Sequence, residues 1–189
     1  MPTRCVRPAA VFLDRDDTLI DTTAATQGTD HQGDLGDPDL VRLLPGVADS
    51  LALLDRAGFA LVVYSSQGGV ARGRYPLAAV EAVNDRLRSL LARAGVRLAG
   101  AYACPFHPAG SVPRFAAEHP WRKPNPGMIL TAASELDLDL ALCWAVGDKP
   151  RDVESAVAAG IAPDRAILLG PGVDLPAATR RILSDRPRA

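Results

Sequence analysis

Short apolar runs that end abruptly in polar residues constrain this chain more than any other feature. They fall at residues 9–13, 59–64, 98–104, 142–146 and 166–169, with the third the weakest. A strand with one face in water alternates apolar and polar residues; an unbroken run suits a strand covered on both faces. Between the runs lie segments with helical spacing, at 47–57, 77–94, 126–136 and 150–159. Gly58 and Gly160 stand where helices are expected to stop. Residues 174–183 read as a closing helix. Strands alternating with helices predict an α/β fold with a parallel sheet and helices on both faces. With 189 residues, a single domain spanning 1–189 is expected. Two stretches without periodicity, 22–38 and 105–126, are long enough to suggest functional loops.

Composition excludes several classes. The net charge is -1 and the basic residues are scattered, so neither nucleic acid nor an acidic membrane is an expected partner. No stretch approaches the length of a membrane span. The apolar run before Asp14 is too short for a signal peptide. The three cysteines, Cys5, Cys104 and Cys143, are far apart and form no disulfide framework. A cytoplasmic monomer acting on a small molecule is the expectation.

In an open α/β sheet, ligands bind beyond the carboxyl ends of the strands. The first run ends in Asp14-Arg15-Asp16-Asp17-Thr18, the second in Ser65-Ser66-Gln67-Gly68-Gly69, and the fourth in Gly147-Asp148-Lys149-Pro150-Arg151-Asp152. Arg122-Lys123-Pro124 opens the helix before the fourth. Each element has a plain structural use. Carboxylates cap helices, serine and paired glycines make turns, and a lone lysine is usually a surface residue. Gathered at one sheet edge, they make a coherent set for phosphoryl transfer, which needs an in-line nucleophile, charge neutralisation and a proton for the leaving group. Asp14 can be the nucleophile and Asp16 the acid and base. A divalent cation would offset repulsion between these anions and a phosphate. Mg2+ prefers carboxylates, phosphate and water, and Asp148 is the natural further ligand. Ser65, the amides near Gly68 and Gly69, and Lys123 could hold the phosphoryl oxygens.

These motifs resemble the haloacid-dehalogenase (HAD) superfamily. Asp14-Arg15-Asp16-Asp17-Thr18 is similar to its Asp-x-Asp-x-Thr signature. Ser65 matches its second motif, Lys123 its third, and Gly147-Asp148 with Asp152 its acidic fourth. The segment from Ser65 to Gly73, the run from Arg122 to Met128, and Gly147-Asp148-Lys149 resemble the heptose-bisphosphate and histidinol-phosphate phosphatases. That resemblance implies a three-layer Rossmann-like fold with no large cap domain. It also implies a phospho-aspartate on Asp14 and a proton donor in Asp16. Mg2+ would be held by the Asp14 side chain, the Asp16 backbone carbonyl and Asp148. Ser65 and Lys123 would steady the phosphoryl group, with Ser66, Gln67, Arg122 and Lys149 at the substrate. A heptose bisphosphate is the first choice of substrate and histidinol phosphate the second; a phospho-accepting or non-catalytic domain is the reading from another class.

The chain departs from the narrow family in places. A structural zinc is common in the loop before Arg-Lys, but here only Cys104 keeps its position, with His107 and His119 nearby in sequence. Four nitrogen or sulfur ligands are not assembled, so a structural zinc is not expected. Phe106 and Trp121 are expected to staple that loop instead. Asp17 stands where glycine is common and Ser66 where asparagine is common. Asp30, His31 and Asp34, in the unusually long 22–38 stretch, are expected to be solvated.

Overall fold

The computed structural model describes residues 8–185; Cys5 and the basic residues beside it lie outside that range. The elements run β1 (Ala10–Leu13), α1 (Thr22–Ala25), α2 (Val47–Arg56), β2 (Ala60–Ser66), α3 (Leu77–Ala92), β3 (Gly100–Cys104), α4 (Gly127–Glu135), β4 (Trp144–Gly147), α5 (Pro150–Ala159), β5 (Ala166–Leu168) and α6 (Leu175–Ser184). The five strands form one parallel sheet in the order β3-β2-β1-β4-β5.

The unbroken apolar runs follow from two covered faces. In β1 all four residues are buried. Val11 and Leu13 face one layer, with Val47, Leu51 and Leu54 of α2, Val83 and Leu87 of α3, and Ile182 of α6. Ala10 and Phe12 face the other, with Met128 and Ile129 of α4 and Ala156 of α5. Successive residues of a strand point to opposite faces, so both must be apolar. The outcome is a three-layer α/β Rossmann-like fold. Full burial of one such Leu side chain contributes roughly 1.5–3 kcal/mol. A Leu13→Ala cavity at the centre would cost about 2–5 kcal/mol.

The weaker sequence signals lie at the sheet edges. Most of β3 is only half-buried, and Leu168 of β5 is exposed. The second strand runs beyond its apolar stretch, through Ser65 and Ser66, because both continue the ladder with β3. The fourth strand starts late. Asp139 accepts from the Ala141 amide at 3.0 Å and holds Leu140–Leu142 in a 3-10 turn.

The 22–38 stretch is more ordered than its sequence suggests. Asp21 caps the short helix α1, and Leu35 is buried. Asp34 is not solvated: Arg72 grips it with two hydrogen bonds, of 3.0 and 2.6 Å. A planar guanidinium matches a carboxylate in this way and desolvates it. Asp30 keeps to the expectation, with 81% of its side chain exposed beside His31 and Arg74. Gly36 permits the docking, because a Cβ there would lie 2.4 Å from the Tyr75 ring. The 105–126 loop closes on aromatic contacts. Phe106 stacks on His119 at 4.3 Å and meets Phe115 edge-on, while Trp121 packs edge-on against Tyr102 and His119. The expected staple therefore exists, with His119 as part of it. His119 Nδ1 accepts from the Trp121 amide at 3.1 Å and lies 4.0 Å from Cys104 Sγ. His107 Nδ1 accepts from the Ala109 amide.

Candidate active site

Asp14 directly follows the central strand, and its amide donates to Val146 of β4 at 2.9 Å. That bond prolongs the ladder and sets the carboxylate at the carboxyl end of the sheet. The chain then turns sharply, with Asp17 at φ +58. Glycine adopts this left-handed conformation most easily; aspartate tolerates it when its side chain bonds locally. Here the Thr23 amide and hydroxyl donate to Asp17 at 2.8 and 2.6 Å.

Lys123 reaches the same point from the turn before α4. It is buried, with Nζ donating to Asp14 Oδ1 at 2.5 Å and to Asp152 Oδ1 at 2.7 Å. The Tyr64 ring lies beneath the ammonium, its centroid 3.9 Å away, and can stabilise the cation. Asp152 also accepts from the Lys149 amide at 2.9 Å, so one carboxylate caps α5 and anchors the lysine. Gly147 makes room for it, since a Cβ at that position would sit 2.4 Å from that of Asp152. Asp152 thus stands at the start of α5 and beside Lys123 at once.

Burial raises Asp14 to about 7; Lys123 pulls against that rise, and the charges of Asp152 and Asp16 add to it. Carboxylate oxygens of Asp14, Asp148 and Asp152 lie within 4.8 Å of one another. Against these three stand Lys123 and the half-exposed Lys149, which meets Asp148 at 2.6 Å. An all-oxygen cluster of this kind suits a hard divalent cation. Of the expected ligands, Asp14 and Asp148 come together and Asp152 joins them.

The Asp16 carboxylate turns toward other partners. It accepts from Thr22 Oγ1 at 2.6 Å, Gln67 Nε2 at 2.6 Å, Ser65 Oγ at 3.1 Å and Arg15 Nη2 at 3.1 Å. Burial works to raise its pKa, but the Arg15 charge and the hydrogen bonds from Thr22 and Gln67 outweigh it and hold Asp16 below the usual carboxylate value.

The residues expected to meet substrate divide in two. Lys149 is exposed and paired with Asp148, and Arg122 is half-buried beside the Phe106 carbonyl. Burial lowers the pKa of Arg122, and the neighbouring charge of Arg151 lowers it further, as does that of Arg72. His107 is lowered by burial, then by Arg122 and Arg72, with Glu118 and Asp34 opposing them. The other two expected residues lie inside. Ser66 Oγ accepts from the Lys123 amide at 3.2 Å and holds the lysine's turn. Gln67 is 2% exposed and bonded to Asp16, Ser65, Arg15 and Tyr75. Sequence reasoning passed over Arg15, Asn84 and Tyr75, which complete this network. A fully buried arginine bonded to Asn84 at 3.1 Å carries no local signal.

A parallel sheet with a buried carboxylate at the end of its central strand, a buried lysine bonded to it and two further carboxylates close by is a set of groups that can serve phosphoryl transfer. Comparisons agree. The chain matches the family described as HAD-hydrolase-like over residues 120–189 and the polynucleotide kinase 3 phosphatase family over residues 9–151. It is 41% identical over 152 residues to the D-glycero-beta-D-manno-heptose-1,7-bisphosphate 7-phosphatase of Escherichia coli K12, covering 80% of this chain and 75% of that protein. Identity to the enzyme of the same name from Photorhabdus laumondii is 34% over 185 residues, covering 95% and 94%. The crystal structure of the D,D-heptose 1,7-bisphosphate phosphatase of B. bronchiseptica, complexed with magnesium and phosphate, superposes with a TM-score of 0.75 at 28% identity, covering 94% of this chain and 99% of that one. The chain belongs to the HAD-like phosphatase family. Among the described residues, no helix is long and apolar enough to cross a membrane.

Proposed function

We propose that this chain is a Mg2+-dependent phosphomonoesterase that works through a phospho-aspartate on Asp14 and takes a sugar bisphosphate, with a heptose bisphosphate the preferred form. The observation that carries the reading is the pairing of buried Asp14 with buried Lys123 at the end of the central strand. Asp14 Oδ attacks phosphorus; Asp16, held as the carboxylate in the free protein, takes up a proton with the anionic substrate and gives it to the leaving alkoxide. Water then attacks the acyl phosphate, with Asp16 as base, and inorganic phosphate departs. Lys123 and Ser65 steady the phosphoryl oxygens. Asp14 and Asp148, with the Asp16 carbonyl, would hold Mg2+, which supplies charge neutralisation when bound. Arg122 and the exposed Lys149 lie beside the carboxylate cluster and supply cationic groups that a second anionic group on the substrate could meet.

The test is phosphate release from heptose bisphosphate, histidinol phosphate and common hexose phosphates, with Mg2+ and with EDTA. Mg2+-dependent release that prefers the bisphosphate supports the reading. Preference for histidinol phosphate would overturn the substrate, and turnover surviving in Asp14→Asn would overturn the mechanism.

A further inference from the structure

We infer that Gln67 is the positioning residue that aims Asp16 for proton transfer, an inference that rests on the acid and base role given to Asp16 above. Gln67 follows β2 and is 2% exposed. Its amide nitrogen donates to Asp16 Oδ2 at 2.6 Å and to Ser65 Oγ at 2.7 Å. Its amide oxygen accepts from Arg15 Nη2 at 2.7 Å and from Tyr75 Oη at 2.9 Å. A guanidinium only donates, so the side facing Arg15 must be oxygen, and the NH2 must face Asp16. Arg15 is itself held by Asn84 of α3 at 3.1 Å. The orientation of one amide is therefore set from two elements outside β2.

The consequence lies in geometry. A general acid acts only within hydrogen-bond reach of the atom it serves, and a free carboxylate swings about two side-chain torsions. Each Asp16 oxygen has donors here: Thr22 and Arg15 on Oδ1; Gln67, Ser65 and Arg15 on Oδ2. Thr22 sits on the four-residue helix α1, whereas Gln67 leaves the end of β2, a strand paired on both sides and the more rigid support. Gln67 also bridges Asp16 to Ser65. It thereby couples the proton donor to a hydroxyl placed at the phosphoryl group.

The leaving group separates positioning from structural support. A p-nitrophenolate departs as the anion, whereas an alkoxide needs a proton from Asp16. The measurement is kcat/KM for p-nitrophenyl phosphate and for glycerol phosphate in the Mg2+-loaded wild type, Gln67→Met and Tyr75→Phe. That ratio covers steps up to departure of the leaving group, so the later hydrolysis common to both esters does not enter. In Gln67→Met the loss on glycerol phosphate is expected to exceed that on p-nitrophenyl phosphate by about tenfold or more, as befits a misaimed general acid. Tyr75→Phe shifts the ratio the same way by less, and decides the matter if Gln67→Met does not fold. Equal losses on both esters overturn the inference. Turnover that persists in Asp14→Asn would instead remove the reading beneath it.

Discussion

Lys123 Nζ and Asp14 Oδ1 meet at 2.5 Å although 109 positions of sequence separate them. The ammonium is shared with Asp152, so removing it strands two buried carboxylates. Lys123→Met is expected to destabilise the metal-free protein by about 3 kcal/mol, typical of breaking a buried ion pair from one side. Activity is expected to fall about 10²–10³-fold with the loss of a fixed positive charge at the phosphoryl group. Urea denaturation and steady-state assays would check the two effects, and an unchanged denaturation midpoint would count against the shared-ammonium arrangement.

Asp14 gives the metal-free protein a pH dependence of unusual sign. Burial raises its folded value to about 7, above the ordinary 3.8, so folding favours the protonated acid. That contribution is fully present below pH 3.8 and is lost as pH rises through about 7. In EDTA, wild-type stability is expected to decline relative to Asp14→Asn between pH 5 and pH 8, by no more than a few kcal/mol at one pKa unit per 1.36 kcal/mol. Asp16, depressed in the fold, acts oppositely: its contribution is present above its ordinary value and is lost as pH falls through the lowered one. Thermal melts of both proteins across that range would read the difference. A gap that does not change with pH would refute the assignment.

Asp148 is half-buried and faces Asp14 and Asp152. Asp148→Asn is expected to raise the Mg2+ concentration needed for half-maximal activity by about tenfold or more, the scale on which metal sites respond to altered ligation. Mg2+ should also raise the melting temperature of the wild type more than that of the variant, since binding to the native state alone stabilises it. Superimposable Mg2+ titrations would remove Asp148 from the ligand set.

Asp34 ties the 22–38 stretch to the second motif through Arg72, and 36% of the Arg72 side chain is exposed. Screening limits the pair to about 1 kcal/mol of stability. Asp34→Asn is therefore expected to cost little globally but to make that stretch more sensitive to limited proteolysis. It also frees Arg72 for anions, so KM for a bisphosphate should change more than kcat. Wild-type cleavage kinetics and unchanged KM would show that the contact restrains nothing.

Cys143 illustrates a packing role. Its Sγ donates to the Asp139 carbonyl and accepts from the Ala10 amide, both at 3.2 Å, and burial pushes its pKa up to about 11. It is expected to resist alkylation in the native state and to react after denaturation, which mass spectrometry would read. Rapid native labelling would contradict the burial.

The site was only partly legible in the linear chain. Asp14, Ser65, Lys123 and Asp148 stand out because each ends an apolar run or comes before a helix, near the carboxyl edge of the sheet. Gln67 carried the same signal and sits in the same turn, where its buried amide bonds Asp16, Ser65, Arg15 and Tyr75. Asp34, by contrast, misled. Loop composition suggested water, while its partner Arg72 lies 38 positions away.

The strand and helix periods, the doubly covered sheet and the chemistry of the strand ends were determined by sequence alone, because backbone geometry ties those patterns to local structure. Tertiary structure decided which polar groups meet. It paired Lys123 with both Asp14 and Asp152, turned the Gln67 amide by way of Arg15, and raised Asp14 to about 7. Those outcomes depend on burial and on distances between residues remote in the chain, and electrostatics acts through space rather than along sequence.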